Sequence, residues 1–313
     1  MSPSAQTAPQ TRLAGPGRYD TSAAVSAATF APGVPVVYLA TGLKFPDALA
    51  GAAAAGTAGG PVLLTAPTSL PPAIAAELER LDPQRIVLRG DANSISETVR
   101  TLVRQYTTGS VDRIAGIDRY ATSAAIALDT YQGVEGIDVV YLATGLKFPD
   151  ALAGAAAGGS LGGHVLLTQP DKLPEATRGA LQTLKPKRIV LLGDANSVSQ
   201  AVAGQVAGYA SIGVDRKAGI DRYATAAAIA GEFGTDVPVV YLATGLNFPD
   251  ALSGAAAAGY QNGPVLLTMP DKLPPATALA LADLKPRKVI VLGDQKSVQD
   301  SVLAQALQFV VVP

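Results

Sequence analysis

The chain has 313 residues, of which 48% are hydrophobic and only 16% charged, and its 24 Lys and Arg nearly balance 25 Asp and Glu. That much apolar material excludes wholesale disorder, and a net charge of −1 gives no general attraction to nucleic acid or anionic lipid, so any anion must be met at a local site. With no Cys and one His, disulfides, thiol chemistry and thiolate metal sites are excluded, and neither metal nor cofactor is expected.

In chain order, MSPSAQTAPQ (1–10) lacks the basic start and apolar core of a secretion signal and reads as a flexible tail. RLAGPGRYDTSAA (12–24) opens an Ala-rich amphipathic helix. VVYLATG (36–42) is a continuous apolar run ended by Gly, the pattern of a strand buried on both faces. In FPDALAGAAAAG (45–56), Pro46 suits the first turn of a helix and Asp47 the positive end of its dipole. The small residues along this helix allow very close packing. VLLT (62–65) is a second strand, LPPAIAAELERL (70–81) a helix opening on Pro, and RIVLRGD (85–91) a third strand. Ser94 and Glu97 have the spacing of a capping box and start a fourth helix. The uncharged stretch 48–76 invites a membrane-spanning reading. It is mostly Ala and Gly and is broken by Pro61, Pro67, Pro71 and Pro72, so a buried helix followed by a buried strand is expected.

The whole series recurs twice. YLATGLKFPDALAG occurs at 38–51 and 141–154, and YLATGLNFPDALSG at 241–254, with steps of 103 and 100 residues between Phe45, Phe148 and Phe248. RIAGIDRYATSAA (113–125), RKAGIDRYATAAA (216–228), HVLLT (164–168), PVLLT (264–268), RIVLLGDANSVS (188–199) and KVIVLGDQKSVQ (288–299) repeat the rest. Asp118 and Asp221 can cap their helices, whereas Gly17 stands at that position in the first unit. Ser197 with Gln200 is a second capping box, and Ser297 with Asp300 a near match. After the tail, the units span residues 11–110, 111–213 and 214–313. Alternating strands and helices imply an α/β fold with short parallel sheets, a Rossmann-like three-layer sandwich in each unit. The closing FVVVP (309–313) aligns with the segment before each next unit and is expected to add one more strand.

This fold class invites dinucleotide binding, but the loop reads T-G-L-x-F-P-D instead of G-x-G-x-x-G. A carboxylate (Asp47, Asp150 or Asp250) stands where a pyrophosphate needs bare backbone N–H groups. His164 faces Pro61 and Pro264 in the other units, so a structural or surface histidine is expected, and a Ser-His-Asp arrangement is open to one unit at most. Asp47 and Asp91, with their equivalents, lie at the ends of the first and third strands, where α/β sheets place ligands, and are the candidate acid–base pair for glycoside cleavage. A helix-start role for Asp47 and a turn-ordering role for Asp91 are the simpler account, and the chain reads as non-enzymatic.

Taken in order, RIAG-x-DRYATA, ATG-x-xFPDAL-x-GA, PVLLT, a Pro-flanked helix and RIVLLGD-x-xSVS resemble the type 2 cell-wall-binding repeat of Gram-positive surface proteins. That repeat occurs in clostridial cell-wall proteins and beside amidase domains in autolysins. The resemblance covers all three units from Arg12 onward. It implies three Rossmann-like modules packed around a pseudo-threefold axis, in a secreted protein held at the cell wall or cell surface. It also implies non-covalent attachment to an anionic secondary wall polymer, a polysaccharide or teichoic-acid-like chain, with no nucleic acid and no membrane span. The family's Ile-Leu-Leu stretch is implicated in polymer binding together with nearby polar residues. Here it reads Val62-Leu63-Leu64, Val165-Leu166-Leu167 and Val265-Leu266-Leu267, although any buried strand looks like this. With Arg18, Arg119 and Arg222 and with Asp47, Asp150 and Asp250, these residues form the candidate polymer-binding set. Arg forks suit phosphodiesters. Yet these three, and the recurring Arg12, Arg113 and Arg216, suit salt bridges to a repeated Asp across a module contact equally well. Effector domains often accompany such triplets. The ten-residue tail is too short to be one, so the chain reads as an anchor without a cargo of its own: a fragment, a free-standing wall protein, or a subunit that recruits a protein cargo. A surface-layer or protein-interaction scaffold and a carboxylate-dependent wall hydrolase are the alternatives.

Overall fold

The Val-Tyr-Leu-Ala-Thr runs are strands without an exposed residue, and each Pro-Asp-Ala-Leu run that follows is a helix with Pro in its first turn. The computed structural model describes residues 11–311, without the side chains of Pro46 and Asp47. The expected tail 1–10 lies outside the described residues. The first repeat runs β1 (Arg12–Leu13), α1 (Arg18–Thr29), β2 (Val37–Thr41), α2 (Pro46–Ala58), β3 (Val62–Thr65), α3 (Pro72–Leu81), β4 (Arg85–Arg89) and α4 (Glu97–Val103). The second runs β5 (Ser110–Ile114), α5 (Arg119–Thr130), β6 (Val139–Thr144), α6 (Pro149–Ser160), β7 (Gly163–Thr168), α7 (Glu175–Leu184), β8 (Arg188–Leu192) and α8 (Gln200–Val206). The third runs β9 (Gly213–Lys217), α9 (Arg222–Ala230), β10 (Val240–Thr244), α10 (Pro249–Tyr260), β11 (Val265–Thr268), α11 (Pro275–Leu284), β12 (Val289–Leu292) and α12 (Asp300–Leu307). Among the described residues no helix is long and apolar enough to cross a membrane.

Three four-stranded parallel sheets result, ordered β3-β2-β4-β5, β7-β6-β8-β9 and β11-β10-β12-β1. Each sheet takes its last strand from the start of the following sequence repeat, and the third takes it from the start of the chain. Thr11 O accepts from Val291 N at 2.8 Å, and Leu13 O accepts from Gly293 N at 2.9 Å. The expected strand at 309–313 is therefore corrected. Residues 309–311 form no strand, residues 312–313 lie outside the described ones, and the place beside β12 belongs to β1. Val311 N donates to Pro286 O much as Ser211 N donates to Pro186 O, so this segment copies the approach to β9 and not the strand itself.

Local capping follows the sequence in part. Asp118 and Asp221 accept from Ala121 N and Ala224 N, each at 2.8 Å, while Gly17 offers no side-chain cap. The capping boxes are displaced by two residues. Ser96 and Ser199 cap α4 and α8, and Gln299 precedes α12 without a side-chain cap. Ser94, Ser197 and Ser297 instead belong to a turn held by the preceding aspartate, with Ser94 N donating to Asp91 Oδ1 at 2.9 Å. Asp competes well for nearby backbone donors, so it closes the turn before the helix begins.

Helices α2, α6 and α10 meet at the centre of the molecule. At their N-terminal ends Phe45, Phe148 and Phe248 form a triangle of edge-on rings, with centroids 5.8 to 6.0 Å apart. At their C-terminal ends Gly56, Gly159 and Gly259 touch. A Cβ on Gly56 would stand 3.1 Å from Gly159 Cα and 3.3 Å from Gly259 Cα. Large rings at one end and bare backbone at the other make the three helices converge on a pseudo-threefold axis. One continuous core joins residues of all three repeats around it.

Gly159→Leu is expected to cost about 2–3 kcal/mol in urea unfolding, because the new side chain meets backbone on two helices. Gly179→Ala, in the open interior of α7, is expected to gain about 0.5–1 kcal/mol. A chain lacking residues 1–13 is expected to exchange the Val291 and Gly293 amides faster. Gly193 N, which donates to Lys217 O at 2.8 Å, serves as the unchanged internal control.

Candidate binding clefts

The strand order makes β2 and β4 neighbours whose following helices leave on different courses, and this opens a crevice at their carboxyl ends. The same holds for β6 with β8 and for β10 with β12. The next repeat closes each crevice. In the second, Lys147, Asp150, Asp194 and Ser197 face Ile220, Asp221, Arg222 and Thr225. In the first, Lys44, Asp91 and Ser94 face Ile117, Asp118, Arg119 and Thr122. In the third, Asn247, Asp250, Asp294 and Ser297 face Pro16, Gly17, Arg18 and Thr21, so the beginning of the chain completes the last cleft. The volumes are small, roughly 180, 170 and 280 Å³ respectively.

The geometry within each cleft follows from tight turns. Gly193 has φ +90°, and a Cβ there would stand 2.5 Å from Asp150 Oδ2, so glycine both permits the turn and lets the carboxylate lie against backbone. Ser297 Oγ donates to Asp250 Oδ2 at 3.3 Å. Burial, and then the neighbouring Asp194, raises the Asp150 carboxyl above the usual range; burial raises that of Asp250, with Asp294 adding to it. Hydrogen bonds hold the outer carboxylates low: from the Asn93 side chain to Asp91, from the Asn196 side chain to Asp194, and from Ser297 N to Asp294. In the second and third clefts a proton-prone carboxyl thus sits beside one that stays ionised.

The two arginine sets differ in role. Arg12, Arg113 and Arg216 are staples. Arg113 donates to Gly90 O at 2.8 Å, Ile95 O at 2.7 Å and Glu97 Oε1 at 2.9 Å. Arg216 donates to Gly193 O and Val198 O, each at 2.8 Å. Arg12 donates to Gly293 O and Val298 O, each at 2.8 Å, and pairs with Asp300. Each clamps the turn of the preceding repeat through backbone carbonyls, where a salt bridge to the repeated Asp was one expectation. Arg18, Arg119 and Arg222 each give one N–H to the carbonyl of a Thr-Gly turn. Their acceptors are Gly42 O, Gly145 O at 2.5 Å and Gly245 O at 2.5 Å. Arg18 and Arg222 are exposed and Arg119 is half-buried, and each lines a cleft.

The family described as cell wall binding domain 2 (CWB2) matches residues 12–100, 113–203 and 216–303. The chain belongs to the CWB2 family. It is 30% identical over 291 residues to the amidase enhancer of Bacillus subtilis, covering 93% of this chain and 39% of that protein. It is 22% identical over 294 residues to the N-acetylmuramoyl-L-alanine amidase LytC of the same organism, covering 94% of this chain and 57% of that one. The structure of Cwp6 from Clostridium difficile superposes with a TM-score of 0.89 at 25% identity, covering 98% of this chain and 49% of that one. Cwp8 gives 0.85 at 24% identity, covering 96% and 51%. The chain thus spans about two fifths to three fifths of these relatives' lengths. It is a triplet of CWB2 wall-binding repeats in the parallel α/β arrangement of the clostridial proteins.

In these CWB2 repeats the candidate residues separate. Arg18, Arg119, Arg222, Asp150 and Asp250 line the clefts, and the Asp47 side chain lies outside the described residues. Val62, Leu63, Leu64, Val165, Leu166, Leu167, Val265, Leu266 and Leu267 are wholly buried. Their side chains present no surface, and in the first two repeats the strand edge is covered, with Leu64 N donating to Ser22 Oγ and Leu167 N to Ser123 Oγ, both at 3.1 Å, while Ala226 stands at the matching position of the third. Lys44, Lys147 and the threonines Thr21, Thr122 and Thr225 join the clefts unannounced. The signal for the threonines was their recurrence in every DRYAT-like stretch, and each accepts a backbone N–H from the glycine six residues before it. Among the described residues no cluster of three His, Cys, Asp or Glu can hold a metal.

Asp150 binds its proton more tightly in the fold than unfolded. Its contribution to stability is therefore fully present below the unfolded carboxylate value and is lost as pH rises through the raised folded value. Asp150→Asn is expected to be more stable than the parent at pH 7 and to lose that advantage near pH 3, measured by urea denaturation.

Proposed function

We propose that the chain is a non-catalytic wall anchor that holds an anionic secondary wall polymer through its three clefts. The observation that carries this is the threefold repetition of one site, each built from two strand ends of one repeat and an Arg-bearing helix start of the next. Spare guanidinium donors suit phosphodiester or carboxylate groups of the polymer, and the carboxylates suit its sugar hydroxyls. The small clefts fit single groups along a chain, and three weak contacts on one repeating polymer gain by avidity, by about 10²–10⁴ where the spacing fits. Such an anchor works outside the cell, and the amidase-related names among its relatives make a wall-acting protein the natural cargo. Contact with a protein partner is a second reading. Leu43, Leu146 and Leu246 are 55–57% exposed and Ile117 and Ile220 fully so, all at the carboxyl ends of the strands where the clefts open.

The test is co-sedimentation with Gram-positive walls, intact or acid-stripped of phosphodiester-linked polymer. Binding to intact wall alone is expected, falling roughly 10-fold or more in Arg222→Ala. Equal binding to both walls would move the site to peptidoglycan, and no binding would leave the protein-partner reading. Acidification toward the carboxylate range is expected to strengthen binding, since Asp150 and Asp250, raised by burial, take up protons before ordinary carboxylates do while a phosphodiester stays charged. Release of soluble fragments that depends on Asp150 would overturn the non-catalytic reading.

A further inference from the structure

Two departures from threefold symmetry fall together. Position 89 is Arg in the first repeat, where the other two have Leu192 and Leu292, and position 164 is His in the second, where the others have Pro61 and Pro264. Both side chains are completely buried. The Arg89 stem passes Gly51 of α2, as Leu192 passes the matching Gly154 of α6. His164 lies on β7, which packs against the same helix α2, so both residues belong to the junction of the first and second repeats.

Neither is satisfied among the described residues. Arg89 Nε, Nη1 and Nη2 and His164 Nδ1 and Nε2 have no hydrogen bond in good geometry. The Arg89 guanidinium lies over the Tyr38 ring, 4.1 Å from its centre, and the Tyr38 hydroxyl is within its electrostatic reach, but burial raises that phenol above its ordinary value, so it stays neutral and supplies no compensating charge. The carboxylate within its electrostatic reach, Asp129, is already held by Arg85 at 3.0 and 3.2 Å. Tyr131 sets its ring edge against His164 and spends its hydroxyl on Gly163 O at 2.8 Å. Burial lowers Arg89 to about 10, which leaves it charged at neutral pH. Burial and then Arg89 lower His164 to about 3, so its ring is neutral and carries one N–H. A buried guanidinium needs both acceptors and a compensating charge, and water supplies only the first.

We propose that Arg89 and His164 form a buried site for a small inorganic anion at the junction of the first two repeats. The site is separate from the clefts, contains none of their residues, and is occupied once per molecule because neither partner is repeated. A halide suits it best, being spherical and able to accept from the Arg fork and the His N–H together.

The test compares thermal unfolding of the whole chain in chloride and in gluconate at equal ionic strength. Chloride is expected to raise the midpoint by about 2–4 °C in the parent and to have no such effect in Arg89→Leu or Arg89→Met. The Leu variant copies the other two repeats and has room to fold. Crystals grown in bromide are expected to show one anomalous peak against the Arg89 guanidinium, a readout that needs no variant. No chloride-specific shift in the parent, the same shift in the variants, or only water against Arg89 in the bromide crystals would each overturn the proposal.

Discussion

Three helices nearly without side-chain bulk, α2, α6 and α10, approach one another so closely that their glycines touch, and the other elements are placed by that approach. Because the helices converge at Gly56, Gly159 and Gly259 and spread at the phenylalanines, the sheets behind them are fanned around the axis. The carboxyl ends of the strands all open toward the phenylalanine end. Each cleft therefore lies beside the helix start of a neighbouring repeat, and a site absent from any single repeat appears three times in the assembly.

The contact that closes each cleft is the same one that closes each sheet. The segment carrying β5 also carries Arg113, which grips the turn after β4, and five residues later Asp118 and Arg119 begin the cleft wall. Stability and cleft geometry are thus coupled through short stretches of chain. The clefts are not identical, however. The third has Asn247 in place of a lysine and Gly17 in place of an aspartate, so it carries fewer charges than the second and is the larger of the two.

The repeats made much of this legible. Strands, helices, the three-unit organisation and the close-packed helix all follow from periodicity and from Ala and Gly at fixed positions. What the sequence hides is which neighbour each residue meets. Ser94 and Ser96 are both good caps by type, and only the turn formed by Asp91 decides that Ser96 takes the helix. Val-Leu-Leu reads the same whether it lines a groove or fills a core, and here Ser22 and Ser123 seal its edge. FVVVP has ideal strand composition, but a strand needs an open edge. That edge belongs to Arg12 and Leu13, nearly the whole chain length away. Pairwise contacts of this range leave no local trace, so recurrence could single out Thr122 but not show that it shares a cleft with Lys44.

The pairing of β1 with β12 also bears on how the protein comes to be folded. A linear row of repeats can form from one end and lose units singly. Here Arg12 bonds Gly293 across 281 residues, so the strand at one end of the triplet must wait for a strand at the other. Until then the edge of β12 has no partner and the third cleft lacks a wall. High contact order of this kind slows folding, and the pairing ties the first repeat to the third.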